Sequence, residues 1–206
     1  PYAGAYQPVG VDEIGLWHED DEDEQKLANS SMLIRDEGLT GYVKDVLCRT
    51  VGLDRCNATR VYIVRTPAFN ATMSPNGTMR VWTGLFLRVH SEAELATVLG
   101  HEFGHFEKRH GVSKFKAQRG GSDLVAWAAL LAAMSATNQS AQNYRDLRVA
   151  VYGNLYRFNR DTEREADRLA IAYLNKSLFP PQCAASVWEN VMAEATASSV
   201  AKGLSK

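Results

Sequence analysis

Only three of the 206 residues are cysteine and six are proline, and nothing in the chain approaches the roughly 18–20 consecutive apolar residues of a membrane-spanning helix. Three thiols cannot build a disulfide lattice, and a chain of this length can bury enough apolar surface without one. The longest apolar run, residues 124–134 (LVAWAALLAAM), is too short to cross a bilayer. An excess of either charge is also missing. Lys plus Arg number 23 against 24 Asp plus Glu, for a net charge of −1 and a pI near 6.6. That balance excludes broad electrostatic capture of nucleic acid or of an anionic membrane, both of which call for a basic surplus. No internal repeat and no Pro/Gly/Ser-rich linker divides the sequence. The composition that is present, 45% hydrophobic and 23% charged, is that of a globular domain with a core. The chain opens at Pro1 with neither an initiator Met nor a signal-like segment, which reads as a processed or truncated front.

Residues 1–18 have no clear periodicity and read as an N-terminal arm, leaving 19–206 as a single domain. The acidic run Glu19–Glu24 reads as a solvated helix start, where negative charge complements the helix dipole. Helices are expected near 22–34 and 37–51, broken around Gly38 and ended at Gly52. Arg60–Arg65 and Thr78–Thr83 have the β-branched and aromatic content of strands, the second following a Pro75-Asn76-Gly77 turn. Ser91-Glu92-Ala93-Glu94 opens the next helix as a capping box, and Leu95, Val98, Leu99 and Phe103 follow at helical spacing. That helix is expected to run to about Arg109, with Gly111 as its stop. A Gly-rich loop at 119–122 should precede an apolar helix at 123–137, then helices at 144–175 and 182–196 separated by Pro180-Pro181. The expected fold is therefore α+β: mainly helical, with one small antiparallel sheet beside the capped helix. The 124–134 segment is expected as buried core. A lid hinged at Gly120 and Gly121, or a hairpin lying on a membrane surface, are its other readings.

The capped helix contains His101-Glu102-Phe103-Gly104-His105, an HExxH. A spacing of four puts both imidazoles on one helix face, where two ring nitrogens can share a metal ion, and Glu102 lies beside them where a base is needed for an activated water. Zinc with an open position needs a third protein ligand. The pattern HExxHxxGxxH fails, because Lys108 and Gly111 stand where it requires Gly and His. His110 reads as a helix-end histidine near the negative end of the dipole. The remaining source is a carboxylate on another helix: Glu163 and Asp167 lie one turn apart, with Glu163 placed to ligate and Asp167 to accept a hydrogen bond from a ligand imidazole, while Glu165 points away from both. Gly104, costly in a helix interior, is explained by another backbone approaching closely. The strand Thr78–Thr83 reads as a sheet edge able to pair with an extended peptide, making Met79, Arg80, Val81 and Trp82 the candidate substrate strand, with simple core packing as the alternative.

VLGHEFGH with a downstream EREAD closely resembles zinc metallopeptidases of the HtpX and CaaX-prenyl-protease type. Phe69-Asn70-Ala71, Pro75-Asn76-Gly77, Val81–Leu85 and Ser91–Leu95 extend the resemblance over residues 37–175. It implies a zincin-like domain in which His101, His105 and Glu163 hold one zinc ion, Glu102 is the catalytic base and Asp167 orients a ligand. Membrane-embedded members carry spanning helices that this sequence lacks. It is thus more similar to soluble bacterial periplasmic members, some of them lipid-anchored, which act on outer-membrane or misfolded envelope proteins. The implied activity is endopeptidase cleavage of extended or misfolded polypeptide, in the periplasm or at the outer membrane, by a protein whose association with the membrane is peripheral or lipid-anchored. The competing reading is a catalytically silent zinc scaffold or chaperone, against which the retention of Glu102 argues. The residue that would stabilise the oxyanion is not fixed; Tyr152, Tyr156, Arg160 and Arg164 are candidates on spacing. Export to an oxidising compartment favours a Cys48–Cys56 disulfide with Cys183 unpaired, against three separate buried thiols.

Overall fold

Helix α1 (Val11–Ala28) starts well before the acidic run, which therefore lies inside a helix rather than at its beginning. Its start has no side-chain cap: Gly10 occupies the N-cap, and the fixing contact is tertiary, with the buried Glu13 carboxylate accepting the Val9 N–H and pairing with Lys116. Such an origin is invisible to local sequence cues. The acidic run is not simply solvated either. Glu24 accepts from Arg60 at 2.5 and 2.6 Å and from the Tyr62 hydroxyl at 2.7 Å, so α1 is clamped onto strand residues. The computed structural model describes residues 7–135 and 137–201; the first six residues of the expected arm, and 202–206 at the end of the expected domain, lie outside them.

After β1 (Leu33–Ile34), helix α2 (Glu37–Val51) is capped by Asp36, whose carboxylate accepts the Leu39 N–H at 2.9 Å. The single turn α3 (Leu53–Cys56) follows, and a disulfide joins Cys48 to Cys56 with Cα atoms 5.0 Å apart, leaving Cys183 as a thiol. Strands β2 (Arg60–Val64), β3 (Ala71–Met73) and β4 (Thr78–Trp82) complete a four-stranded sheet of order β1-β2-β4-β3. This sheet is mixed, which corrects the expectation of a purely antiparallel one. Gly77, at φ 92°, closes β3 and β4 into an antiparallel hairpin, and that reversal sends β4 back parallel to β2.

The turn α4 (Thr83–Phe86) leads to α5 (Glu92–Glu107), the axis of the core. Half of the capping box forms as expected: Ser91 Oγ accepts the Glu94 N–H at 3.2 Å. The Glu94 carboxylate accepts instead from His90 N–H at 2.6 Å and from the Ser186 hydroxyl at 2.7 Å. Leu95, Val98, Leu99 and Phe103 are all buried, and Phe103 packs on Phe106 and Tyr173. At the end of α5 two residues, Lys108 and the left-handed Arg109 at φ 59°, separate it from α6 (His110–Ser135). Helix α6 runs unbroken through the expected Gly-rich loop, because Gly121 is the seat of Val151: a β-carbon there would come within 2.9 Å of Val151 Cγ1. Helix α7 (Asn138–Lys176) returns beside it, and α8 (Cys183–Ala201) closes over α5.

The apolar stretch of α6 is not core. Leu124, Trp127, Leu131 and Met134 are 51, 65, 63 and 76% exposed, since α7 covers only one side of this helix. Among the described residues no helix is long and apolar enough to cross a membrane.

Candidate metal centre and active site

Two i,i+4 pairs on two helices face each other. Gly104 makes this approach close: a β-carbon on it would lie 3.3 Å from Leu169 Cβ and 3.4 Å from both Ala166 Cα and the Ala166 carbonyl oxygen. The small residues Ala166 and Ala170 present the matching face of α7, fully buried against α5. Around that contact α5 supplies His101 and His105, three before and one after Gly104, and α7 supplies Glu163 and Asp167, three before and one after Ala166.

His101 is buried. Its Nδ1 lies 2.9 Å from Asp167 Oδ1, so the carboxylate fixes the ring proton there and leaves an electron pair on Nε2. That Nε2 lies 3.1 Å from His105 Nε2 and 3.4 Å from Glu163 Oε2, and His105 Nε2 lies 3.6 Å from Glu163 Oε1. Donors held about 2.0–2.1 Å from one tetrahedral ion stand roughly 3.3–3.4 Å apart, which these separations bracket. All three donor atoms lie within 4.8 Å of one another. Burial and the neighbouring His101 ring push the His105 imidazole down to about 4, which favours its neutral, ligating form. Two imidazole nitrogens and a carboxylate converging on one point make a donor set for a divalent cation of the zinc type.

Burial, and then the charge of Glu163, push the Glu102 carboxyl up to about 8. A dication beside it would favour the carboxylate and so bring it down. Trp188 of α8 packs edge-on to His101, with ring centroids 5.7 Å apart, and Phe69 stacks against the same indole at 6.3 Å. An apolar wall thus flanks the histidines, which the sequence did not flag because α8 reaches the site only through the tertiary fold.

Strand β4 does not form the expected edge. Met79, Arg80, Val81 and Trp82 sit between β2 and β3 with both sides of the backbone engaged, and Met79 and Val81 are core residues. The edge nearer α5 is β3, which pairs with no second strand among the described residues. Of the oxyanion candidates, Tyr152 and Tyr156 are exposed and lie about two turns or more before Glu163 on α7, while Arg164 pairs with Asp161 at 3.7 Å.

His110 is not at a helix end carrying the negative pole. It is the first residue of α6, buried, with Nδ1 3.0 Å from His105 Nδ1 and Nε2 3.2 Å from Glu165 Oε2. Glu165 also meets Lys108 at 2.9 Å, and Lys108, then His110, hold its carboxyl below the usual range.

A helix-borne HExxH meeting an acidic i,i+4 pair from a second helix, beside a small sheet, defines the metallopeptidase class. The sequence profile of peptidase family M48 matches residues 35–201, and the chain belongs to that family. It is 29% identical over 154 residues to the mitochondrial metalloendopeptidase OMA1 of Schizosaccharomyces pombe, covering 74% of this chain and 44% of the relative. It is 26% identical over 182 residues to the beta-barrel assembly-enhancing protease of Escherichia coli, covering 85% and 37%. The protein of that name from Yersinia pestis is 30% identical over 166 residues, covering 77% and 34%. The chain thus spans less than half the length of each of these relatives.

Proposed function

We propose that this domain is a zinc-dependent endopeptidase that cleaves extended or misfolded polypeptide in the bacterial periplasm or at the outer membrane. The observation that carries this reading is the convergence of His101 Nε2, His105 Nε2 and the Glu163 carboxylate within 4.8 Å, with Asp167 fixing the proton on the far side of His101. These three residues would hold the ion. When bound, zinc supplies Lewis-acid polarisation of water and of the scissile carbonyl. Glu102 takes one proton from the attacking water as the new C–O bond forms, and returns it to the amine nitrogen as the C–N bond breaks. The substrate backbone adds to the outer edge of β3. Ser74 and Asn70 use their ladder bonds to Thr78 and Trp82, so by alternation Ala71 and Met73 turn their N–H and C=O groups outward. Phe69 and Trp188 would then shape an apolar side-chain subsite beside His101.

Two things support an envelope location: the Cys48–Cys56 disulfide, which persists in oxidising compartments, and the similarity to proteases named for β-barrel assembly. Digestion of casein by wild type and by Glu102→Gln tests the activity. Cleavage by the wild type, lost in the variant, is expected. Equal behaviour of the two would favour a zinc-containing scaffold or chaperone.

A further inference from the structure

We infer that His110 and Glu165 are positioning residues, forming a relay that holds His105 in the tautomer with its Nε2 electron pair directed at the metal site. The inference rests on the reading of His101, His105 and Glu163 as a metal centre and deepens it.

His105 Nδ1 and His110 Nδ1 are 3.0 Å apart and, unlike the Nε2 pair of His101 and His105, lie outside the group of donors that could share an ion, so one proton must stand between them; two would repel, and none would leave two electron pairs opposed. Which ring carries that proton is decided on the far side of His110, where Nε2 lies 3.2 Å from Glu165 Oε2. A carboxylate accepts only, so His110 donates from Nε2, and in the neutral ring Nδ1 is then the acceptor. His105 must then donate from Nδ1, which leaves Nε2 unprotonated toward His101 and Glu163. His101 receives the same instruction directly, from Asp167 at 2.9 Å. Each imidazole of the HExxH thus has a carboxylate behind it, one in contact and one through an intervening ring.

The backbone is arranged for this contact. On an unbroken helix residues 105 and 110 would stand about 140° apart and could not touch. Arg109, left-handed at φ 59° without being glycine, ends α5 and turns the chain so that His110 lies edge-on to His105, centroids 4.9 Å apart. His110 is 7% exposed, so its two nitrogens need partners, and the relay supplies both. Lys108 anchors the other oxygen of Glu165 at 2.9 Å.

The test is zinc affinity by competition with a chromophoric chelator, together with the visible spectrum of the cobalt(II)-substituted protein, on wild type and four variants. His110→Ala should weaken zinc binding by about 10–100-fold and alter the cobalt spectrum. His110→Asn, which keeps an acceptor oxygen where Nδ1 stands, should recover much of that loss. Glu165→Ala should weaken binding about 10-fold, and Lys108→Ala, which frees one oxygen of Glu165 but keeps its contact with His110, should weaken it less than Glu165→Ala does. If His110→Ala fails to fold, Glu165→Ala decides the matter, because Glu165 is 45% exposed and outside the core. Unchanged affinity and spectrum in Glu165→Ala and in folded His110→Ala, beside a wild type that binds one zinc, would overturn the relay alone. A wild type that takes up no zinc would overturn the metal reading and the relay with it.

Discussion

Gly100 and Gly104 lie one turn apart on α5 and look equivalent in sequence, yet alanine should have opposite effects at the two. Either replacement relieves the backbone entropy penalty of glycine in a helix, by up to about 1 kcal/mol. At Gly100 the added methyl would meet Thr50 Cγ2 at 3.4 Å, Ala170 Cα at 3.6 Å and Tyr173 Cδ2 at 3.6 Å, which is ordinary contact. Gly100→Ala should therefore stabilise the apoprotein by about 1 kcal/mol, raising its melting temperature by roughly 2–4 °C. At Gly104 the methyl would meet Leu169 Cβ at 3.3 Å and Ala166 Cα and O at 3.4 Å. Those neighbours belong to the α7 backbone or its first side-chain carbon and cannot rotate away. The helix must move by a few tenths of an ångström, and overpacking of this kind costs about 1–3 kcal/mol. Against the propensity gain, the net is a loss of about 1 kcal/mol. Glu163 and Asp167 ride on the displaced segment, so zinc affinity should fall about tenfold as well. Thermal unfolding in chelator and zinc titration, run on both variants, read the two effects separately. If Gly104→Ala stabilises as much as Gly100→Ala and keeps wild-type affinity, close helix approach is not what places the acidic pair.

Three further outcomes follow from the geometry. Removing the Cys48–Cys56 bridge by Cys→Ser at both positions should cost about 2.5 kcal/mol at most, the chain-entropy value for a closed loop of this separation, measured by urea unfolding. Arg60, with help from Tyr62, holds the Glu24 carboxyl down to about 2, below its unfolded value of 4.5. The pairing therefore contributes stability above about pH 4.5 that is lost as pH falls toward 2. Discounted for screening at the domain surface, the contribution is about 2 kcal/mol, and Glu24→Gln should flatten the decline of the urea midpoint across that window. Met73→Pro deletes an outward N–H of β3 that the ladder does not use, so it should leave the fold intact while slowing peptide cleavage; an unchanged kcat/KM would remove β3 as the substrate strand.

What could be read from the sequence was whatever repeats at helical spacing. The HExxH and the Glu163/Asp167 pair each fix a helix face by themselves, and the glycine at 104 announced that something must approach that face. The apolar period of Leu95, Val98, Leu99 and Phe103 likewise placed α5 in the core. Features decided by partners distant in sequence were not legible. The start of α1 depends on Glu13 meeting Lys116, and the continuity of α6 depends on Gly121 receiving Val151. The order of the sheet depends on where a hairpin folds back, so β4 is interior and β3 takes the edge. His110 stands five residues beyond His105, off the ligand face of any regular helix, and only the left-handed Arg109 restores the contact. The apolar run of α6 has the pattern of a buried helix, yet Leu124, Trp127, Leu131 and Met134 stay exposed, because burial depends on what packs against the helix and not on the run itself.

The central claim is that two imidazoles of α5 and a carboxylate of α7 grip a single divalent ion. Anomalous scattering at the zinc absorption edge, from crystals of the wild type and of Glu163→Gln, tests it most directly. One peak about 2.0–2.2 Å from Nε2 of His101, Nε2 of His105 and a Glu163 oxygen is expected in the wild type, with the peak weakened or gone in the variant. A wild-type map with no peak between these residues, or a peak of undiminished height in Glu163→Gln, would contradict the account.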